Sequence, residues 1–183
     1  MMPRPAHASD RRLPAPSWDR QRGMTLIELM FAILIMAVLA MLAAPSFRDA
    51  SLGSRVAATA NSLHGSIQIA RSEAIKANAP ITLCASSDGT NCATAGDWDQ
   101  GWIVIDADGA LYHSEPAQTN NYKVIEQDDK LELVFQPIGI GATDAVFTVC
   151  REDPVGNQER VVSVTATGSA YVTTTENGEC PPT

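Results

Sequence analysis

Several kinds of chemistry are missing from this 183-residue chain. No C-x-x-C pair or histidine-rich spacing occurs, so a zinc site has no ligand pattern to rest on. No G-x-S-x-G elbow accompanies the many Ser and Thr, and His64 and His113 stand without a nucleophile or metal partner at motif spacing, so neither is assigned a catalytic or ligand role. No internal repeat or low-complexity tract appears. Cysteine is absent before Cys84, which removes a lipoprotein signal. Basic residues are scarce after the first 23 positions: five Arg stand against two Asp in residues 1–23, and eight Lys or Arg against 19 Asp or Glu in the rest. That acidic body, −11 against +3 for the first 23 residues, repels phosphate backbones at long range and weighs against general nucleic-acid binding.

What is present begins with one long apolar run. From Met24 to Ala44 only Thr25 and Glu28 are polar. As a helix rising about 1.5 Å per residue, the run is roughly 30 Å long, the thickness of a bilayer's hydrocarbon core. A cleavable secretory signal fits poorly, because its apolar region is usually about 7–15 residues long and carries no carboxylate. Pro45 also follows the small-residue exit at Leu42, Ala43 and Ala44. The positive stretch 1–23 places the amino terminus inside and everything after Ala44 outside. A carboxylate at the depth of Glu28 costs about 3 kcal/mol unless it is protonated or paired. Snorkelling to the interface, with favourable helix-dipole energy, is the alternative.

Residues 50–79 continue as an amphipathic helix. Leu52, Val56, Leu63, Ile67, Ala70 and Ala74 recur at helical spacing, with Arg55, Asn61, Gln68, Arg71, Glu73 and Lys76 on the other faces. Pro45 bends or opens the helix locally, Gly53 and Gly65 weaken it, and Asn78-Ala79-Pro80 ends it. Beyond Pro80 the period changes to two. The pattern predicts strands at 81–86, 101–106, 110–113, 122–126, 131–136, 145–151, 160–166 and 170–175, with turn signals at Asp88-Gly89, Asp108-Gly109 and Asn177-Gly178. This is an α+β chain, a long helix packed on a mainly antiparallel β domain of one or two sheets. Trp98 and Trp102 are expected to anchor that domain's core. Four cysteines, Cys84, Cys92, Cys150 and Cys180, suggest two disulfides in an exported domain. Three pairings are possible, and proximity favours Cys84 with Cys92 and Cys150 with Cys180. Asp106-Ala107-Asp108-Gly109 is read as a β-turn, since it lacks the third acidic position and the distal glutamate of a calcium loop.

The residues Arg22-Gly23-Met24-Thr25-Leu26-Ile27-Glu28-Leu29 resemble the leader junction of type IV pilins and type II secretion pseudopilins. The resemblance implies that a prepilin peptidase cuts after Gly23 and that the new amine of Met24 is methylated. It implies an assembly role for Glu28, paired with a neighbouring subunit's terminal amine. Met24 stands where that family usually has phenylalanine. Segments farther on, ARSEAIKAN at the helix end, TLC from Thr82, WDQGWIVIDADG from Trp98, FQPIGIG from Phe135, FTVC from Phe147 and RVVSVTATG from Arg160, resemble in order the GspH/FimT group of minor pilins and pseudopilins.

The organisation implied is a cleaved cytoplasmic leader at 1–23, a transmembrane or filament-core helix at 24–49, its amphipathic continuation at 50–79 and a disulfide-containing β domain at 80–183. The protein would be a single-pass inner-membrane prepilin with a periplasmic carboxyl-terminal domain, entering a pilus or pseudopilus with other pilins or pseudopilins. It would be a structural subunit, not an enzyme, with no cofactor and no metal. Some members of the group bind DNA through a glycine-arginine motif near the carboxyl terminus. Here that place reads Gly168-Ser169-Ala170-Tyr171, without either arginine, which disfavours DNA as a partner; Lys123, Lys130, Arg151 and Arg160 are the remaining basic candidates. Tyr171 and Trp102 could stack on bases, but packing is the commoner use of strand aromatics. Mass spectrometry of the mature amino terminus is expected to begin at Met24 with a methylated amine; a chain still beginning at Met1 contradicts the processing assignment.

Overall fold

A computed structural model of the chain describes residues 23–119, 121–138, 141–152, 159–175 and 180, without the side chains of helical residues 43–49. The expected leader, apart from Gly23, and the Asn177-Gly178 turn therefore lie outside the described residues, while the backbone at Pro45 is helical. The chain divides into two compact units, Met1–Leu42 and Ala43–Thr183.

One helix, α1, runs from Leu26 to Ala77. Its first turn is closed by Thr25, whose hydroxyl accepts the Glu28 N–H at 3.3 Å while its carbonyl accepts the Leu29 N–H at 3.1 Å. Thr-x-x-Glu is the residue pattern of a capping box, with a hydroxyl at the N-cap and a carboxylate three positions on. At the other end Asn78 takes a left-handed φ of 52°, and the Ala79 N–H bonds the Ala74 carbonyl at 3.3 Å. That wrapped end satisfies an orphan carbonyl, and asparagine tolerates the conformation better than most residues.

Eight strands follow: β1 Ile81–Ala85, β2 Trp102–Asp106, β3 Leu111–Glu115, β4 Tyr122–Glu126, β5 Glu132–Phe135, β6 Ala145–Arg151, β7 Glu159–Val164 and β8 Ala170–Thr175. They form two four-stranded antiparallel sheets, ordered β3-β2-β1-β5 and β4-β6-β7-β8. All eight expected strands are present, three with the expected bounds and the others displaced by one or two residues. A 3-10 turn at Trp98–Gln100 was not foreseen.

In the second unit the helix and both sheets share one core. Val56, Ala60, Leu63, Ile67, Ala70 and Ala74 are buried along α1 at alternating spacings of four and three. They meet Leu83, Trp102, Val104, Leu133 and Phe135 of the first sheet and Val124, Phe147, Val149 and Val162 of the second within one cluster. The expected stripe is present with Ala60 added, while Leu52 is only partly buried against it. Small residues at three of the six positions let the helix axis lie close to the sheets. Truncating Leu63 would leave a cavity costing about 2–5 kcal/mol.

Polar contacts orient this stripe. On one flank Thr59 Oγ1 donates to Gln118 Oε1 at 2.9 Å, Ser62 Oγ to Glu115 Oε2 at 2.7 Å, and Trp102 Nε1 to Ser66 Oγ at 2.9 Å. On the other, His64 Nε2 lies 3.2 Å from the Ala170 carbonyl. Trp98 ties the sheets together: its ring meets Phe147 edge-on at 4.9 Å and its Nε1 donates to the Lys130 carbonyl at 2.8 Å. Both tryptophans are buried core anchors, as expected.

Two glycines give opposite expectations. Gly101 has φ 106°, and a Cβ there would stand 2.7 Å from the Glu115 carbonyl oxygen and 2.9 Å from that of Ser86. Gly65 lies in mid-helix with nothing within 4 Å of a Cβ position. In urea denaturation Gly65→Ala is expected to raise stability by about 0.5–1 kcal/mol. Gly101→Ala should lower it by about 2–4 kcal/mol. Equal effects at the two positions would contradict this packing.

Candidate functional site

The first unit presents a helix with no core of its own. Every large apolar side chain from Met24 to Leu42 is at least half exposed. A helix apolar on all faces is normally buried in a membrane or among other helices. Among the described residues no helix is long and apolar enough to cross a membrane. The described side chains of the run stop at Leu42, before Ala43 and Ala44, which complete it in the sequence.

Gly23, Met24 and Glu28 cluster at the start of this helix. Gly23 and Met24 lie exposed ahead of the first turn, and a Cβ on Gly23 would meet nothing within 4 Å. Glu28 is the acidic residue of the first turn, where the exposed N–H groups and the helix dipole favour negative charge. Thr25 is the residue that sequence reasoning missed here; the Thr-x-x-Glu spacing is the signal that identifies it as the N-cap.

The four cysteines form the pairs that proximity favours. Cys84 is bridged to Cys92 and Cys150 to Cys180, each with Cα atoms 5.5 Å apart. The first bridge closes a loop organised by Asp88. Its Oδ1 accepts the Thr90 and Asn91 N–H groups, each at 2.8 Å, and its Oδ2 accepts Asn91 Nδ2 at 2.8 Å. These bonds, led by that from the Asn91 side chain, hold the Asp88 carboxyl well below the usual carboxylate range. The loop lies on the outer face of the first sheet: a Cβ on Gly89 would come 3.1 Å from Ser114 Oγ, and Ser114 pairs with the fully buried Ile103. The second bridge joins the carboxyl-terminal segment to β6.

The basic candidates are engaged within the domain. Lys123 Nζ sits 3.1 Å from Asp99 Oδ2, and the hydrogen bond and charge of that carboxylate raise its pKa. Lys130 Nζ lies 2.8 Å from Asp128 Oδ2 and donates to the Asp144 carbonyl at 2.9 Å. Arg151 is buried, and Arg160 Nη1 donates to the Glu159 carbonyl at 3.2 Å. Trp102 is buried; Tyr171 is half exposed beside the exposed Ser169. No basic stripe is assembled from these residues.

The remaining polar groups serve turns and flanks. Asp106 Oδ1 accepts the Asp108 and Ala110 N–H groups at 3.0 and 2.8 Å, the β-turn expected there. His113 Nε2 lies 3.8 Å from Glu115 Oε2. A groove of about 460 Å³ between α1 and the β3–β4 connection is lined by Arg55, Thr59, Ser62, Glu115 and Gln118. The Thr59 and Ser62 hydroxyls in it are committed to Gln118 and Glu115.

An apolar amino-terminal helix with a capped acidic first turn, continuing into a helix packed on two antiparallel sheets, defines a pilin-like protein. The chain belongs to the family described as type II transport protein GspH, whose model matches residues 59–168. The prokaryotic N-terminal methylation motif matches residues 18–44, which include Gly23, Met24 and Glu28. Two crystal structures of the type IV minor pilin FimU from Pseudomonas aeruginosa share the fold. One has a TM-score of 0.54 at 22% identity, covering 66% of this chain and 89% of that one. The other has 0.51 at 24% identity, covering 63% and 90%. The minor pseudopilin EpsH of the type 2 secretion system of Vibrio cholerae is 10% identical over 65% of this chain and 96% of that one, with a TM-score of 0.47. No curated protein sequence matches the chain.

The Asp88 contacts carry a pH expectation. Because the folded pKa is depressed, the contribution of this carboxylate is complete above the unfolded value of about 3.9 and is lost as pH falls through the lower folded value. A titration followed by nuclear magnetic resonance at Asp88 and the Asn91 amide should give a midpoint well below about 3.9. A midpoint at or above it contradicts the loop geometry.

Proposed function

We propose that the protein is a structural minor pilin of the FimT type, acting in assembly or tip initiation of a type IV pilus. The observation that carries this is the exposed apolar run from Met24 to Leu42, with Glu28 in the capped first turn of its helix. Such a helix gains most of its stability from surroundings that the chain itself does not supply. Before assembly these are the lipids of the inner membrane, with the chain crossing once, its amino terminus cytoplasmic and the β domain periplasmic. After assembly they are the helices of neighbouring pilins. A prepilin peptidase cuts after Gly23, and the methylated amine of Met24 lies four residues from Glu28. An unpaired carboxylate in that environment is costly, so pairing with a neighbour's terminal amine selects correctly staggered subunits. The protein is structural and does no catalysis; it uses no cofactor or metal.

A second reading, a minor pseudopilin of a type II secretion system, is supported by the description of the matching family. The mechanics of Glu28 are the same in both. A DNA-uptake role is disfavoured by the engagement of Lys123 and Lys130 with carboxylates and by Ser169 and Tyr171 at the motif positions.

Glu28→Leu and Glu28→Lys are expected to abolish incorporation into the pilus or pseudopilus while leaving the thermal unfolding of the β domain unchanged. Wild-type levels of piliation or secretion with either variant contradict the assembly role.

A further inference from the structure

The Lys and Arg side chains of the second unit are engaged, with one exception. Lys76, Lys123 and Lys130 pair with Glu73, Asp99 and Asp128, Arg160 bonds a backbone carbonyl, and Arg71 and Arg151 have partners of their own. Among the described residues Arg55 alone is an exposed cation with neither an ion pair nor a hydrogen bond.

Arg55 stands in a groove of about 600 Å³, lined also by Ser51, Leu52, Thr119, Asn121 and Tyr122. None of these residues is acidic, although the chain past residue 23 carries −11. Glu115, the acid of the adjoining groove, accepts from Ser62 and lies near His113 instead. Backbone contacts fix the wall opposite α1. The Tyr122 hydroxyl donates to the Leu52 carbonyl at 3.5 Å, the Tyr122 N–H to the Thr119 carbonyl at 2.9 Å and the Glu152 N–H to the Asn121 carbonyl at 2.9 Å. A guanidinium offers a fork of donors matched to phosphate oxygens, and the Ser51 and Thr119 hydroxyls and the Asn121 amide supply further donors around it. Leu52 and Tyr122 give the same groove apolar surface.

We propose that this groove binds the phosphodiester headgroup of an anionic phospholipid, with Arg55 holding the phosphate. The inference rests on the proposed location of the chain in the inner membrane. Ser51 follows Ala44 by seven residues on the same helix, about 10 Å of rise beyond the end of the apolar run. Helical side chains lean toward the amino terminus, so Arg55 reaches back over Ser51. Headgroups extend about 5–8 Å beyond the hydrocarbon core, which puts the groove at the level of the lipid phosphates or just above them. A headgroup without an amine leaves its phosphate charge free for Arg55. A nucleic acid is a poor occupant, because one cation does not hold a phosphate backbone against a body of −11. A free phosphate would gain nothing from Leu52 and Tyr122.

The test uses the purified full-length chain in a mild detergent with phosphatidylglycerol that carries a photoreactive group on its headgroup. Mass spectrometry locates the label. It is expected on peptides containing Ser51 or Thr119, and Arg55→Gln should lower it about tenfold. The unfolding temperature should not change, because Arg55 has no partner within the chain to lose. Lys76→Gln removes the same charge near the other end of α1 and should leave the labelling as it is. Label spread evenly along the chain, absent from the groove, or equal in wild type and Arg55→Gln overturns the site. Protection by inorganic phosphate at the lipid's own concentration overturns the lipid as occupant, and equal labelling by a phosphatidylcholine analogue overturns the choice of an anionic one. Each of these results leaves the proposed function standing. A full-length chain missing from the inner-membrane fraction of its host overturns both.

Discussion

The second unit depends on the burial of one narrow stripe of α1. Val56, Ala60, Leu63, Ile67, Ala70 and Ala74 meet both sheets in a single cluster. Without that stripe each sheet would expose its inner face, and the helix would have no reason to remain helical past its glycines. The flanking bonds set rotation: Ser62, Ser66 and Thr59 face the β2–β4 side, and His64 faces β8. A rotation of one residue would break all four contacts. The stripe is thus both the main apolar contribution and the register mark of the domain.

The same helix obeys a different rule in the first unit. From Leu26 to Leu42 no face is polar, and no side chain of this unit offers it a core. Its only charge is Glu28, placed where the N–H groups of a capped helix end best tolerate a carboxylate. The two halves therefore differ in what completes them. The stripe from Val56 to Ala74 is completed by this chain, and the run from Met24 to Leu42 by lipids or other subunits.

Much of this is legible in the residues because periodicity reports burial. The change from a period near 3.6 to one of two at Pro80 marks the end of α1, and alternation locates every strand. What alternation cannot report is pairing. The order β3-β2-β1-β5 and β4-β6-β7-β8 depends on cross-strand contacts between residues far apart in sequence. The 3-10 turn at Trp98 was missed because it follows from tertiary packing, the indole wedging against Phe147, and not from local pattern. Glu126 was missed for a related reason. Its buried carboxylate accepts the N–H groups of Asp128, Lys130 and Val146, and an acidic residue at a strand end reads as solvated until those partners are seen. At the amino-terminal helix the motif itself carries the identification, and Thr25 completes it.

The central claim is that the domain's stability resides in the second unit and owes nothing to the apolar helix before it. Urea denaturation of a chain beginning at Ala43, compared with the full-length protein in a mild detergent, tests this directly. The account predicts a single cooperative transition with the same midpoint and slope in both. A shortened chain that unfolds gradually, or at a clearly lower urea concentration, would contradict it.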